Sequence, residues 1–380
     1  MLKYCQTRIA KLTIFIFIFS APFTGINQKL YSDEIKKLKI AHFYSIKEGF
    51  WDICTTFGAV AAPSLNIQFD SYSYGKSPLM QIEFIKKILN DPKTKPDGFI
   101  FHNFKMRGEQ ILKIAQKANV PAIMFNAGPT PKDSFGNPRE KYPLYLGLIT
   151  PNDEKAGYDL TIKLISKARE KNLQGKDGKI HICIMEGSRY SNAAILRKKG
   201  LTKALKENSD IVVDQYFDTN WNKLRAKDAY VMALKRYPEA KVFWAASDDM
   251  AVGVLEQAKI LGKKPNIDFI TGGIDLLPSI QSKVINGDIA VSIGAHYTES
   301  IWALILLHDY LHGCDFDKES QLPIFKSTML SLTSKSKTIL PISSKEDIIK
   351  WAKNIDFSKY SKCKSKKEYS FDSKDFFKNL

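Results

Sequence analysis

Short apolar runs of four to eight residues alternate with longer amphipathic stretches along most of this chain, and they do so in two successive sets. That alternation limits the fold more than any other feature. Buried strands read as near-continuous Val/Ile/Leu/Phe runs when helices cover both faces of a parallel sheet. The first set holds KIAHFY (39–44), IQFDSY (67–72), GFIFHN (98–103), VPAIMFN (120–126) and LYLGLIT (144–150). The second holds KIHICIM (179–185), IVVDQYF (211–217), VFWAAS (242–247), DFITGGI (268–274) and DIAVSIG (288–294), with TMLSLTS (328–334) as a last strand. Between them lie helical patterns such as 78–89, 153–171, 192–207 and 298–311. The expected fold class is α/β, with two doubly wound parallel-sheet domains and a crossing within 126–150. In such sheets ligands bind beyond the carboxyl ends of the strands. Two domains that face each other by those ends enclose a cleft.

The 380 residues, 44% of them hydrophobic, suffice for two cores. The formal net charge is +17. Its lysines are spread along the chain, with no Arg-rich helix, zinc knuckle or RNP-type aromatic pattern, so we expect no nucleic-acid partner. Lys3, Arg8 and Lys11 precede the apolar run LTIFIFIF (12–19) and the turn residues Ser20, Ala21, Pro22 and Gly25. This is the layout of a secretory signal, here taken as residues 1–27, and the run is too short to span a bilayer. The expected location is periplasmic. Beyond that segment, Cys54, Cys183, Cys314 and Cys363 have no CxxC spacing, which argues against a zinc site. Cys314 and Cys363 both fall in loop-like sequence, where pairing is open in an oxidising compartment. The lysine-heavy end from Ser358 is expected to be a solvated tail.

The strand ends carry aromatic, amide and carboxylate residues. SIKEGFWD (45–52) brings Phe50 and Trp51. Asn103 and Asn126 end the third and fourth strands. In the second set come Asn192 within EGSRYSNAA, Trp221 within FDTNWN, Ser247-Asp248-Asp249, Asp275 and His296. Aromatic faces stack on the C–H face of a sugar ring, and Asn and Asp fork onto adjacent hydroxyls. The two adjacent acids at 248–249 suit a strand–helix corner, where Ser247 or Asp248 can cap the helix. They make a poor pair for glycoside hydrolysis, which needs opposed carboxylates roughly 5–9 Å apart. No GxSxG elbow, HExxH or phosphate loop is present in the sequence. We therefore expect no catalytic residue, metal or cofactor, and rank a glycosidase-like enzyme below a receptor.

Three segments carry a family resemblance: FWAASDDMAVGVLEQAKILGK, GGIDLLPSIQSKVINGDIAVSIGAHYTESIWALILLHDYLHG and SNAAILRKKGLTKAL. They resemble the type I periplasmic binding proteins, the ribose-binding and autoinducer-binding class of solute receptors, over roughly residues 38–334. Ser247-Asp248-Asp249-Met250-Ala251-Val252-Gly253 matches the family's N/S-D-x-x-A-x-G, and Gly273-Ile274-Asp275 its later G-x-D. The resemblance implies a hinged pair of lobes, residues 38–148 plus 297–325 and residues 149–296 plus 326–356, followed by the basic tail 357–380. It implies ligand roles for Phe50, Trp51, Asn103, Asn126, Asn192, Arg197, Trp221, Ser247, Asp275 and His296. Asp248 and Asp249 would shape the corner and leave Ser247 facing the cleft. Where sugar receptors often have an Arg, Ile195 stands, with Arg197 two residues on. Ala295 and His296 occupy the place of a common Gln. The implied partners are a small polar, sugar-like ligand and an inner-membrane ABC permease, or else a membrane sensor kinase or cyclase. A repressor of the same fold would need a helix-turn-helix where the signal-like segment stands.

Overall fold

The computed structural model describes residues 37–316, 323–336, 340–365 and 368–377. The proposed signal segment lies outside them. The first lobe is built on β1 (Leu38–Tyr44), β2 (Ile67–Ser73), β3 (Gly98–Phe101), β4 (Ala122–Phe125) and β5 (Tyr145–Pro151), with helices α1 (Gly49–Ala61), α2 (Pro78–Asn90) and α3 (Gly108–Ala118) between them. The second runs α4 (Asp153–Glu170), β6 (Ile180–Glu186), α5 (Asn192–Lys206), β7 (Ile211–Asp218), α6 (Lys223–Arg236), β8 (Ala240–Ala245), α7 (Asp248–Ile260), β9 (Ile270–Asp275), α8 (Gln281–Ile285) and β10 (Val291–Gly294). The chain then returns through α9 (Glu299–Leu311) and β11 (Ile324–Ser327) to the first lobe and through β12 (Leu330–Thr333) to the second. Helices α10 (Lys345–Ala352) and α11 (Ser373–Phe377) follow.

The strand order is β11-β5-β4-β3-β1-β2 in the first sheet and β12-β10-β9-β8-β6-β7 in the second. All pairings are parallel except β12, which runs antiparallel to β10. The chain passes between the sheets after β5, after β10 and between β11 and β12. The central strands β3, β4, β9 and β10 are buried along their whole length, which accounts for their unbroken apolar sequence. Edge strand β7 is half-exposed and carries Asp214 and Gln215.

One packing detail positions the site. Helices α4 and α5 meet backbone to backbone through Gly157 and Gly200. A Cβ at Gly200 would come within 1.9 Å of the Glu154 carbonyl oxygen, and one at Gly157 within 2.0 Å of that of Arg197. Glycine is the residue that permits this approach, and it seats Arg197 of α5 against the start of α4.

The C-terminal segment departs from the solvated tail expected. Phe357, Phe371 and Phe376 are buried. Tyr360, Phe371 and Phe376 ring Trp302 of α9 at centroid distances of 5.6, 5.1 and 5.0 Å. The aromatic residues bury enough apolar surface to outweigh the solvation of the intervening lysines. Cys314 and Cys363 form a disulfide, while Cys54 and Cys183 are free and buried. No helix among the described residues is long and apolar enough to cross a membrane.

Candidate functional site

The carboxyl ends of the two sheets meet where Phe50 packs on His296, beside a buried ionic cluster. Arg197 is 3% exposed. It donates from Nε to Asp153 Oδ1 at 2.7 Å and from one Nη to the Ala246 carbonyl at 2.6 Å. Its other Nη lies 3.4 Å from His296 Nε2, and Asp275 Oδ1 stands 3.6 Å from the guanidinium. Asp153 occupies the first turn of α4, where the helix dipole favours a carboxylate. Burial raises the Asp153 pKa, and Arg197 opposes that rise. Burial works to lower the Arg197 pKa but is outweighed by Asp153 and Asp275, so the guanidinium stays charged.

Asp275 is held differently. Its backbone φ is 145°, in the range that favours glycine, and Leu276 follows at φ 53°. Such strain costs on the order of 1–3 kcal/mol and persists where the surroundings impose it. Its carboxylate stands 3.7 Å from His296 Nε2 and 3.6 Å from Arg197, both beyond hydrogen-bond distance. Among the described residues no side chain donates a hydrogen bond to its oxygens, which leaves lone pairs to accept from another molecule. Burial pushes its pKa well above the usual range, against the pull of Arg197.

Two histidines share one pattern. Arg197 can only donate, so Nε2 of His296 accepts and the ring proton of the neutral form lies on Nδ1. Burial and the Arg197 charge keep His296 neutral. In the first lobe, Gln81 donates to Tyr74 Oη at 2.9 Å, and Tyr74 Oη lies 3.2 Å from His102 Nε2. With Tyr74 donating its hydroxyl proton, His102 Nε2 accepts and the ring proton sits on Nδ1; Tyr74 can also accept, so this contact does not by itself fix the tautomer. Among the described residues neither Nδ1 has a partner, and neither does Asn126 Nδ2. An aromatic ring covers each histidine: Phe50 over His296 at 4.6 Å and Trp51 flat on His102 at 3.8 Å. Phe50 and Trp51 are adjacent and cross at 85°, so one dipeptide reaches both histidines. Trp221 completes the wall from the second lobe. Its ring lies 5.5 Å from the Arg197 guanidinium. It also lies against Gly187, where a Cβ would meet it at 2.3 Å.

A family model described as a periplasmic binding protein domain matches residues 43–313. The chain belongs to this family. The fold agrees, with two parallel-sheet lobes and three crossings, as in a type I periplasmic binding protein. Over 252 residues the chain is 26% identical to the galactofuranose-binding protein YtfQ of Escherichia coli K12, covering 66% of this chain and 71% of that one. It is 27% identical to the D-allose-binding periplasmic protein of the same organism over 112 residues, 30% of this chain and 35% of that one. A periplasmic sugar-binding protein from Pseudomonas fluorescens superposes with a TM-score of 0.73 at 24% identity, over 88% of this chain and 97% of that one. That likeness speaks to the fold alone.

In this binding protein, the residues expected at the cleft divide into two groups. Phe50, Trp51, Arg197, Trp221, Asp275 and His296 come together as described. Asn126 stands at the end of β4 at φ 66° with its amide nitrogen unpartnered. Asn192 opens α5 half-buried and makes no side-chain hydrogen bond among the described residues. Two further residues expected at the cleft carry internal hydrogen bonds. The Asn103 amide closes its own loop, accepting from Gly108 N at 2.8 Å and donating to the Gly128 carbonyl and Asp133. The Ser247 hydroxyl caps α7 by accepting from Met250 N. The cap uses one lone pair of the hydroxyl, and its O–H proton remains available to donate. Asp248 is the deeper brace: it accepts from Leu277 N at 2.9 Å and Ser292 Oγ at 2.7 Å, tying β8, β9 and β10 together. Burial pushes its pKa up to about 7. Sequence reading missed Asp153 and His102. An Asp at a helix start reads as a cap, and a His at a strand end carries no signal of the ring that will cover it.

Proposed function

We propose that this periplasmic binding protein is a solute receptor that closes on a small, uncharged, multi-hydroxyl ligand of the sugar class and presents it to an inner-membrane ABC permease. The observation that carries the reading is Asp275, strained and buried with open acceptor positions beside a guanidinium already committed to Asp153. Arg197, so occupied, is not a free cation for a ligand carboxylate or phosphate. Asp275 accepts from vicinal hydroxyls, while the Nδ1–H groups of His102 and His296 and the amide of Asn126 donate to ligand oxygens. Phe50, Trp51 and Trp221 supply the apolar walls that stack on sugar C–H faces. The galactofuranose- and allose-binding relatives support the sugar class. Ligand bridging the lobes would favour the closed form by its differential contacts. Such a receptor binds without turnover.

The test is thermal unfolding of the purified mature chain against pentoses and hexoses in furanose- and pyranose-rich sets, polyols and amino acids. A ligand that binds the folded form raises the melting temperature in a saturable way. We expect a rise with a sugar, unchanged ligand on recovery, and no rise for Asp275→Ala. A rise with amino acids alone, or conversion of the sugar, would overturn the reading. Loss of uptake on deleting a neighbouring permease would establish the transport role; loss of a signalling output would assign the receptor to a sensor.

A further inference from the structure

The C-terminal segment is attached to both lobes, and at one point a single peptide group carries both attachments. Residues 340–342 belong to the second lobe: Leu340 N donates to Gln281 Oε1 at 2.8 Å, and Gln281 Nε2 donates to the Ile342 carbonyl at 2.6 Å. Gln281 itself opens α8 and is 2% exposed. The next residue, Ser343, donates its backbone N–H to Asp347 of α10 at 2.9 Å. Helix α10 lies on the first lobe, with Trp351 5.6 Å from Phe57 of α1 and Lys345 paired with Asp52. The Ile342–Ser343 peptide thus has its C=O bound to one lobe and its N–H bound to a helix docked on the other.

The far side of the segment is anchored as firmly. Asp309 of α9, fully buried, accepts from Lys362 N at 2.7 Å and Tyr369 Oη at 2.7 Å, and Ser361 Oγ also bonds to it. The Cys314–Cys363 disulfide fastens the same stretch covalently. The chain then returns to the crossings. The Ser373 hydroxyl lies 3.2 Å from the Ala295 carbonyl, just past β10, and 2.9 Å from the Thr328 carbonyl between β11 and β12.

We propose that residues 340–365 and 368–377 form a fourth tie between the lobes, a strap that limits how far the cleft opens. A trans peptide advances the chain by about 3.8 Å and has no internal slack. The elements it joins lie on opposite lobes: α1, whose first turn carries Phe50 and Trp51, and α8, which follows Asp275. Restricting the open state raises the populated fraction of closed or nearly closed forms. Any ligand that selects the closed form then binds more tightly in proportion to that fraction.

The experiment needs no ligand and stands apart from the sugar reading. Nitroxides on Leu79→Cys of the first lobe and Leu224→Cys of the second, both about two-thirds exposed, report the lobe-to-lobe distance distribution by pulsed electron resonance. Six Gly/Ser residues inserted between Ile342 and Ser343 lengthen the tie and leave every anchor in place. The expected result is a narrow distribution in the parent protein, and a broader one shifted to longer distance after insertion. Gln281→Ala, which frees the second-lobe end, should shift it in the same direction. It also serves as the deciding variant if the insertion fails to fold. Distributions that match the parent in a folded variant would overturn the proposal.

Discussion

Arg197 Nε lies 2.7 Å from Asp153 Oδ1, and neither side chain keeps more than 4% of its surface in water. A buried pair like this adds little net stability, but it is costly to break from one side. Arg197→Met leaves an uncompensated buried carboxylate and should lower unfolding free energy by about 3–5 kcal/mol in urea titration. The loss should shrink as pH falls, because without Arg197 nothing offsets the burial that raises the Asp153 pKa, and the carboxyl is neutralised more readily. Arg197→Met with Asp153→Leu should recover part of it. Equal losses for single and double variants would show that the pair is not the reason.

The strained backbone at Asp275 predicts a trade between stability and binding. Asp275→Gly releases about 1–3 kcal/mol of strain and gives back about 0.5–1 kcal/mol through the freer unfolded chain. The ligand-free melting temperature should equal or exceed that of the parent, while the sugar-induced rise disappears. A clear fall in the ligand-free value would mean that the residue serves the fold.

Ser247 and Asp248 separate by size of effect. Ser247→Ala removes one helix cap and should cost about 1 kcal/mol, with Ser247→Thr restoring most of it and ligand response intact. Asp248→Ala orphans the Leu277 amide and the Ser292 hydroxyl, each a loss of about 1–3 kcal/mol. Chemical denaturation of the two variants should rank them in that order.

The disulfide joins residues separated by 49 positions. Constraining the unfolded chain over such a loop stabilises by about 2–4 kcal/mol. Guanidinium midpoints of the parent with and without dithiothreitol, and of Cys314→Ser/Cys363→Ser, should all show the fall. An unchanged midpoint would mean that the Asp309 contacts hold the segment alone.

His181 predicts a pH dependence. Burial works to lower its pKa, but Asp214 at 2.9 Å and Asp177 at 3.2 Å outweigh it, and the net shift is upward. A raised folded-state pKa means that its contribution is fully present below the ordinary value near 6.5 and is lost as pH rises through the folded value. His181→Gln should therefore cost about 1 kcal/mol at pH 5.5 and little at pH 8.5. The same cost at both would place the effect in packing.

The strands were legible because burial on both faces leaves a local mark. VFWAAS and DFITGGI read as buried strands, and both are. Edge β11 and helix α10 escaped notice, being short and mixed in polarity. The candidate site was half legible. Residue types at strand ends marked Phe50, Trp51, Trp221, Asp275 and His296. The direction of each side chain is not marked: no local pattern shows that Asn103 accepts from the Gly108 N–H or Ser247 from the Met250 N–H.

What the sequence by itself determined is the periodic alternation, the positions of the strand ends and thus the face on which chemistry collects. These follow from contacts within a few residues. What tertiary structure alone decided is which groups meet. Arg197 finds Asp153 across 44 residues and His296 across 99. Trp51 covers His102, and a lysine-rich end becomes a strap once Trp302 and Asp309 are there to hold it. Each outcome depends on competition for buried hydrogen bonds and apolar surface between segments far apart in the chain, and no local pattern records who wins.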